Sequence, residues 1–180
     1  MRFTTRRLTE PTFSALSNEE MLEWLRLDFG DDIITLEILI GSATQVVEHE
    51  AGRIIGEATF AIDLSCLAYS IPLHITPLSS VDSVTYIDED GEEQTLSTDD
   101  WYVAALNVAP RLIITGSIPS VRSATITVTA GHSSICDVPT SLRHAIAVLV
   151  AADYSQREGA VEAAMMTVKR LCAPLRVWSC

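Results

Sequence analysis

Basic residues are scarce in this chain. Twelve Lys and Arg stand against 24 Asp and Glu in 180 residues, a formal net charge of −12. Wrapping nucleic acid or lying on an anionic membrane needs a basic footprint, so neither class is expected. DNA that slides through a channel without being gripped stays compatible, because an acidic wall repels phosphates. Solubility alone is the plainer account of the acid excess. Cysteine is scarce too: Cys66, Cys136, Cys172 and Cys180 show no C-x-x-C spacing. A chain of this length needs no disulfide framework. His49, His74, His132 and His144 do not cluster with the cysteines, so reduced thiols, no metal site and no cofactor are expected.

Long apolar runs and catalytic motifs are missing as well. The longest uncharged apolar run, Ala145 to Ala152, is far short of a membrane span. No signal-peptide core follows Met1-Arg2-Phe3-Thr4-Thr5-Arg6-Arg7, so synthesis in the cytoplasm, without export, is expected. There is no G-x-S-x-G, no Walker loop and no G-x-G-x-x-G, so no enzyme is expected. Ser, His and Asp are present, however, and triads assemble from distant positions. A small hydrolase therefore stays as an alternative of a different class.

What is abundant is apolar residues, 48% against 20% charged. Either the core is large or a partner covers apolar surface. The length suits one medium domain or two small, tightly joined ones. Residues 1–16 are mixed and polar and read as an N-terminal arm. Ser17-Asn18-Glu19-Glu20 is a capping box, and Met21, Trp24 and Leu25 continue it as an apolar helical stripe. After Asp28-Phe29-Gly30-Asp31-Asp32, either of the last two acids can cap a second helix. That helix carries Ile33, Leu36, Ile40, Ala43, Val47 and Ala51 at a period near 3.6, with Gly52 as its stop.

From Arg53 to Gly131 short β-rich runs replace the helical period. Strands are expected over 54–63, 67–75, 101–105 and 111–115. Ala124 to Ala130 alternates strictly, with threonines on one face. Val81 to Ile87 and Gln94 to Leu96 flank Asp90-Gly91, whose positive φ angles suit a tight hairpin. Asp88, Glu89, Asp90, Gly91, Glu92 and Glu93 form its tip. It reads either as a solvated turn or as an extended loop that meets a neighbouring subunit. A calcium loop is disfavoured, since the spacing follows none known. After Asp137-Val138-Pro139-Thr140 a helix is expected over 142–155, and another from Ala160 to about Leu171, ended by Pro174. His144 reads as a structural histidine on a buried helix.

The fold class is therefore α+β: a helical bundle formed by N- and C-terminal helices (17–52 and 137–172), split by a β-rich insertion (53–136). Residues 173–180 form a C-terminal tail. From Met165 to Cys180 the chain is basic, with Lys169, Arg170 and Arg176 and no acids. Trp with Arg in a short apolar segment matches the composition of interface anchors. Leu171, Pro174, Leu175, Arg176, Val177 and Trp178 are thus candidates for partner binding. The alternative is that Trp178 folds back on its own helices.

In this order the segments resemble a known family. They run Asn18-Glu19-Glu20-Met21-Leu22-Glu23-Trp24-Leu25-Arg26, Val47-Glu48-His49-Glu50-Ala51-Gly52-Arg53, and Pro77 to Tyr86. The acidic hairpin, Asp100-Trp101-Tyr102-Val103 and Thr129-Ala130-Gly131 follow. Val138 to Ile146, Tyr154, Arg157-Glu158 and Leu171 to Trp178 complete the series. Over residues 18–178 the chain is similar to the head–tail connector (adaptor, or head-completion) proteins of long-tailed phages and gene transfer agents. It departs from them in a short, alanine-rich stretch after Glu158 and in Cys172, where a leucine or small apolar residue is usual. The resemblance implies a structural subunit of a virion neck, a twelve-fold ring of identical copies under the portal, with DNA only passing through. It implies the portal protein as a partner for the C-terminal segment, and a stopper or tail-completion protein on the other face. A neighbouring stopper or tail-completion protein is itself an alternative identity, and the hydrolase alternative would be virion-associated. Removal of residues 171–180 is expected to leave a folded protein unable to bind portal.

Overall fold

A computed structural model describes residues 3–27, 33–105, 109–155 and 160–176. The chain is α+β, and its described residues form four α-helices and eight strands in antiparallel sheets. The described residues divide into two compact units. Residues 13–56 and 132–176 hold the helices, and residues 3–12 and 57–131 hold the strands.

The helical unit contains α1 (Asn18–Leu25), α2 (Ile33–Ala51), α3 (Thr140–Ser155) and α4 (Ala160–Cys172). The capping box at α1 is present in both directions. The Glu20 N–H donates to the Ser17 hydroxyl at 3.1 Å, and the Ser17 N–H donates to the Glu20 carboxylate at 2.9 Å. Two orphan donors are thereby satisfied. The expected caps of α2, Asp31 and Asp32, lie outside the described residues, as do Asp28, Arg157, Glu158 and Gly159. At its other end Gly52 takes φ +64°, and the Arg53 N–H donates to the Glu48 carbonyl at 3.2 Å. That wraps the last turn around a left-handed residue, a conformation glycine adopts without steric cost. Pro139 accepts the Leu142 N–H at 2.9 Å and so opens α3 two residues earlier than the sequence implied.

α3 is the hub of this unit and packs against α1, α2 and α4. It buries Leu142, Ala145, Ile146, Ala147, Leu149, Val150 and Ala152. The breadth of that set explains why its apolar residues cover so much of the helix circumference. Leu36, Ile40, Val47, Val168 and Cys172 close the core from the two flanking helices. Each fully buried aliphatic side chain here contributes ~1.5–3 kcal/mol.

The strands are β1 (Phe3–Arg7), β2 (Ala58–Leu64), β3 (Ser70–Pro72), β4 (Leu78–Ile87), β5 (Glu93–Thr95), β6 (Trp101–Ala104), β7 (Arg111–Ile114) and β8 (Ser123–Ala130). They form a five-stranded sheet in the order β1-β2-β8-β4-β5 and a three-stranded sheet in the order β3-β7-β6. In β8 the alternation read from the sequence is realised: Ala124, Ile126, Val128 and Ala130 are buried. The threonines on its other face bond acids on both neighbours. Thr125 donates to Asp63 at 2.9 Å, and Thr129 donates to Asp82 at 2.8 Å.

Two expectations are corrected here. Phe3–Arg7, taken as part of an arm, is an edge strand in antiparallel register with β2, Phe3 opposite Leu64. All five of its residues are exposed, so no alternation marks it. Backbone pairing holds it, helped by the Arg6–Asp63 ion pair at 3.1 Å and the Arg7 guanidinium 5.2 Å from the centre of the Phe60 ring. The runs 54–63 and 67–75 also yield shorter strands than expected. The Ile55 N–H is taken by the Glu48 carboxylate at 2.8 Å, and only an isolated bridge from Gly56 to His132 precedes the continuous ladder, which starts at Ala58. Pro72 has no N–H to extend β3, and His74 turns the chain at φ +47°.

Candidate functional site

The end of α4 shows how the C-terminal segment is held. Pro174 cannot continue the helical bonding, and the chain makes one 3₁₀ turn over Ala173–Leu175. Cys172 is fully buried, while Leu171 and Leu175 are half-buried against the helical core. Burial pushes the Cys172 thiol up from its ordinary value; nearby Glu50 adds to this and Arg176 opposes it. The Arg176 guanidinium donates to the Glu50 carbonyl at 2.9 Å and to its carboxylate at 2.8 Å. Arg53 donates to the Leu175 carbonyl at 2.8 Å. Two arginines thus fasten this turn to the end of α2.

Leu171, Leu175 and Arg176 already have partners in their own unit, and only Pro174 of the four described candidates presents an exposed ring. Val177 and Trp178 lie outside the described residues. Removal of residues 171–180 would take Cys172 out of the core, so it is expected to cost stability as well as any partner contact.

Leu171 has a second role, as one wall of an apolar groove of about 660 Å³ that Leu16, Met21, Trp24, His144 and Ala147 also line. Trp24 is 53% exposed and lies over the groove, with its ring centre 5.8 Å from that of His144 at an interplanar angle of 57°. One sequence expectation, a structural histidine on a buried helix, is revised by this. His144 is exposed, on the outward side of α3, because the buried residues Leu142, Ala145 and Ile146 take the inward side. Trp24 is not core: α1 has two turns, Met21 and Leu22 take its buried side, and Trp24 falls at the edge. The groove rim carries the ion pair of Arg143 with Glu20, and Arg143 also donates to the Ala15 carbonyl at 3.1 Å. The Glu20 carboxyl is held below its ordinary value, first by the Ser17 N–H, against some burial, and then by Arg143. An apolar floor with one aromatic and one fixed ion pair suits an apolar side chain from a partner.

The acidic hairpin is built around Asp88. Its carboxylate accepts the N–H groups of Asp90 at 3.0 Å and Glu92 at 2.9 Å. Those N–H bonds, Glu92 first, hold the Asp88 carboxyl below its ordinary value. Gly91 sits at φ +90°, the positive angle that Asp90-Gly91 implied. Arg122 donates to the Glu89 carbonyl, not to a carboxylate. Glu89, Asp90, Glu92 and Glu93 are exposed. Asp88 thus serves the turn, and the remaining four acids form a charged tip. Among the described residues no group of three or more His, Cys, Asp or Glu could hold a metal ion. No described helix is long and apolar enough to cross a membrane.

Sequence reasoning missed one further surface. Ile34 and Ile38 on α2 are 76% and 67% exposed, and Met166 on α4 is 76% exposed. The signal was present: Ile34 and Ile38 are four apart and off the core series that begins at Leu36.

No protein-family model matches the chain, and no curated protein matches it. Solved structures do. A chain from the neck of an empty GTA particle, computed with C6 symmetry, is 22% identical with a TM-score of 0.83. The match covers 98% of this chain and 97% of that one. The two share one fold from end to end. A chain from the virion of a native gene transfer agent (GTA) particle is 22% identical, with a TM-score of 0.82 over 98% of this chain and 96% of that one. A chain from the neck of a native GTA particle, computed with C12 symmetry, is 21% identical, with a TM-score of 0.79 over 98% and 97%.

Proposed function

We propose that the protein is a structural subunit of a phage-type particle neck, a head–tail adaptor whose copies form a ring under the portal. One observation carries this reading: the fold matches neck chains over nearly the whole length of both partners. The order of sequence segments supports it independently. The mechanism is geometric and involves no catalysis. Copies close a ring by repeating one contact. A net charge of −12 lets DNA pass that ring without adhering to it. The groove beside Leu171 and Trp24, with Val177 and Trp178, supplies the apolar anchors toward the portal. The acidic tip at Asp88–Glu93 meets the next neck protein or a neighbouring copy.

The test is electron microscopy of the purified protein mixed with portal rings from the same particle. A second ring stacked on the portal is expected. Deletion of Val177–Cys180, or Trp24→Ala, should abolish the stack and leave the protein folded. Binding to the tail-side protein in place of portal would make it a stopper or tail-completion protein. Binding to neither would overturn the neck reading.

A further inference from the structure

α2 buries Leu36, Ile40, Ala43, Val47 and Ala51 along one side. Ile34 and Ile38, four apart, stack along the opposite side, 76% and 67% exposed. Single exposed apolar residues are ordinary, but two neighbouring isoleucines on a helix face are a patch. Gly41 continues the stripe, and a Cβ built there would touch nothing within 4 Å; on the Glu37 side it borders a hollow that Ser14, Ser17 and Asn18 also line. Glu37 flanks it, and no Lys or Arg occurs from Ile33 to Ala51.

α4 presents the complementary surface. It buries Ala164, Val168 and Cys172. Met166, 76% exposed, and Arg170 stand four apart on the other side, with Lys169 beside them. Neither Lys169, Arg170 nor Glu37 has an ion-pair partner among the described residues. One helix thus offers an apolar stripe edged by an acid. The other offers an apolar residue edged by two cations on its C-terminal side and by Glu162 one turn before it.

We propose that these faces meet between copies: the α4 face of one chain docks on the α2 face of the next. Met166 then covers the Ile34–Ile38 stripe, and Lys169 and Arg170 face Glu37 of the neighbour. The two faces differ, so each chain keeps one free face after pairing, and the contact repeats head to tail. This deepens the ring reading above and rests on it for closure, because a head-to-tail contact alone also permits open filaments.

Lys169 is the only lysine in the chain, which makes the contact addressable. Zero-length carbodiimide crosslinking of the full chain, isotope-labelled and unlabelled copies mixed, should join Lys169 of one copy to Glu37 of another. Native mass spectrometry supplies the second readout. Ile38→Asp and Met166→Asp should each stop self-association, yet mixing them should give a one-to-one pair, since each retains one sound face. Glu37→Arg and Arg170→Glu should each weaken association at least about tenfold, and the double variant should regain it. The substituted positions are exposed, and circular dichroism melts check that each variant folds. A chain monomeric at millimolar concentration, or assemblies indifferent to these substitutions, overturns the proposal. Portal stacking that survives such indifference leaves the neck reading standing. Loss of portal stacking with the Lys169–Glu37 crosslink intact fails that reading alone.

Discussion

Two truncations separate docking from folding. Deletion of residues 177–180 removes no described contact, whereas deletion of 171–180 removes Cys172 from the core, Leu171 and Leu175 from its edge, and Arg176 from Glu50. A fully buried side chain is worth ~1.5–3 kcal/mol, and the half-buried leucines about half that each. The Arg176–Glu50 pair, with side chains 40% and 17% exposed, is screened by solvent to ~1 kcal/mol. The longer deletion therefore costs about 4–6 kcal/mol, against about 5–15 for a whole domain. At ~2–4 °C per kcal/mol for a chain of this size, melting should fall by about 10–20 °C. Circular dichroism melts of chains ending at Arg176 and at Arg170 measure this directly. A chain ending at Arg170 that melts within about 3 °C of the full chain would refute the packing argument.

Two smaller perturbations test local features. The folded Glu20 carboxyl titrates below its ordinary value of 4.5, so its contribution is complete above that pH and is lost as pH falls through the folded value. Glu20→Gln should flatten the acid limb of a melting-temperature profile below about pH 5, and an unchanged limb would place the acid sensitivity elsewhere. Gly52→Ala forces a Cβ into φ +64° and should cost about 1 kcal/mol, or ~2–4 °C, with Gly52→Asn milder. Equal melting of the alanine variant would show that the end of α2 relaxes freely.

Where a segment's chemistry is local, it was legible. Ser17 with Glu20, Gly52, Asp90-Gly91 and the alternation of β8 each encode their geometry within a few residues, and each is present in the structure. What failed was set by distant pairing. β1 shows no pattern because an exposed edge strand needs only a partner's backbone, and that partner lies more than fifty residues on. The separation of β3, β7 and β6 into their own sheet is equally non-local. At the candidate site, the sequence singles out Leu171 and Arg176 as partner-binding candidates but does not show the contacts they make within their own unit. The capture of Arg176 by Glu50 and of Leu175 by Arg53 depends on α2 ending beside α4, which no spacing encodes. The exposure of Trp24 and His144 was not legible either, because helical period gives a face but not its depth.

β8 lies at the centre of its sheet, yet its residues are among the last of that sheet to leave the ribosome. At the usual rate of about 5–20 residues per second, β2 waits several seconds for the neighbour that covers its inner edge. α2 likewise emerges long before α3, the helix it needs. Nascent chains thus carry a bare strand edge and a greasy helix together until the partners of both have emerged.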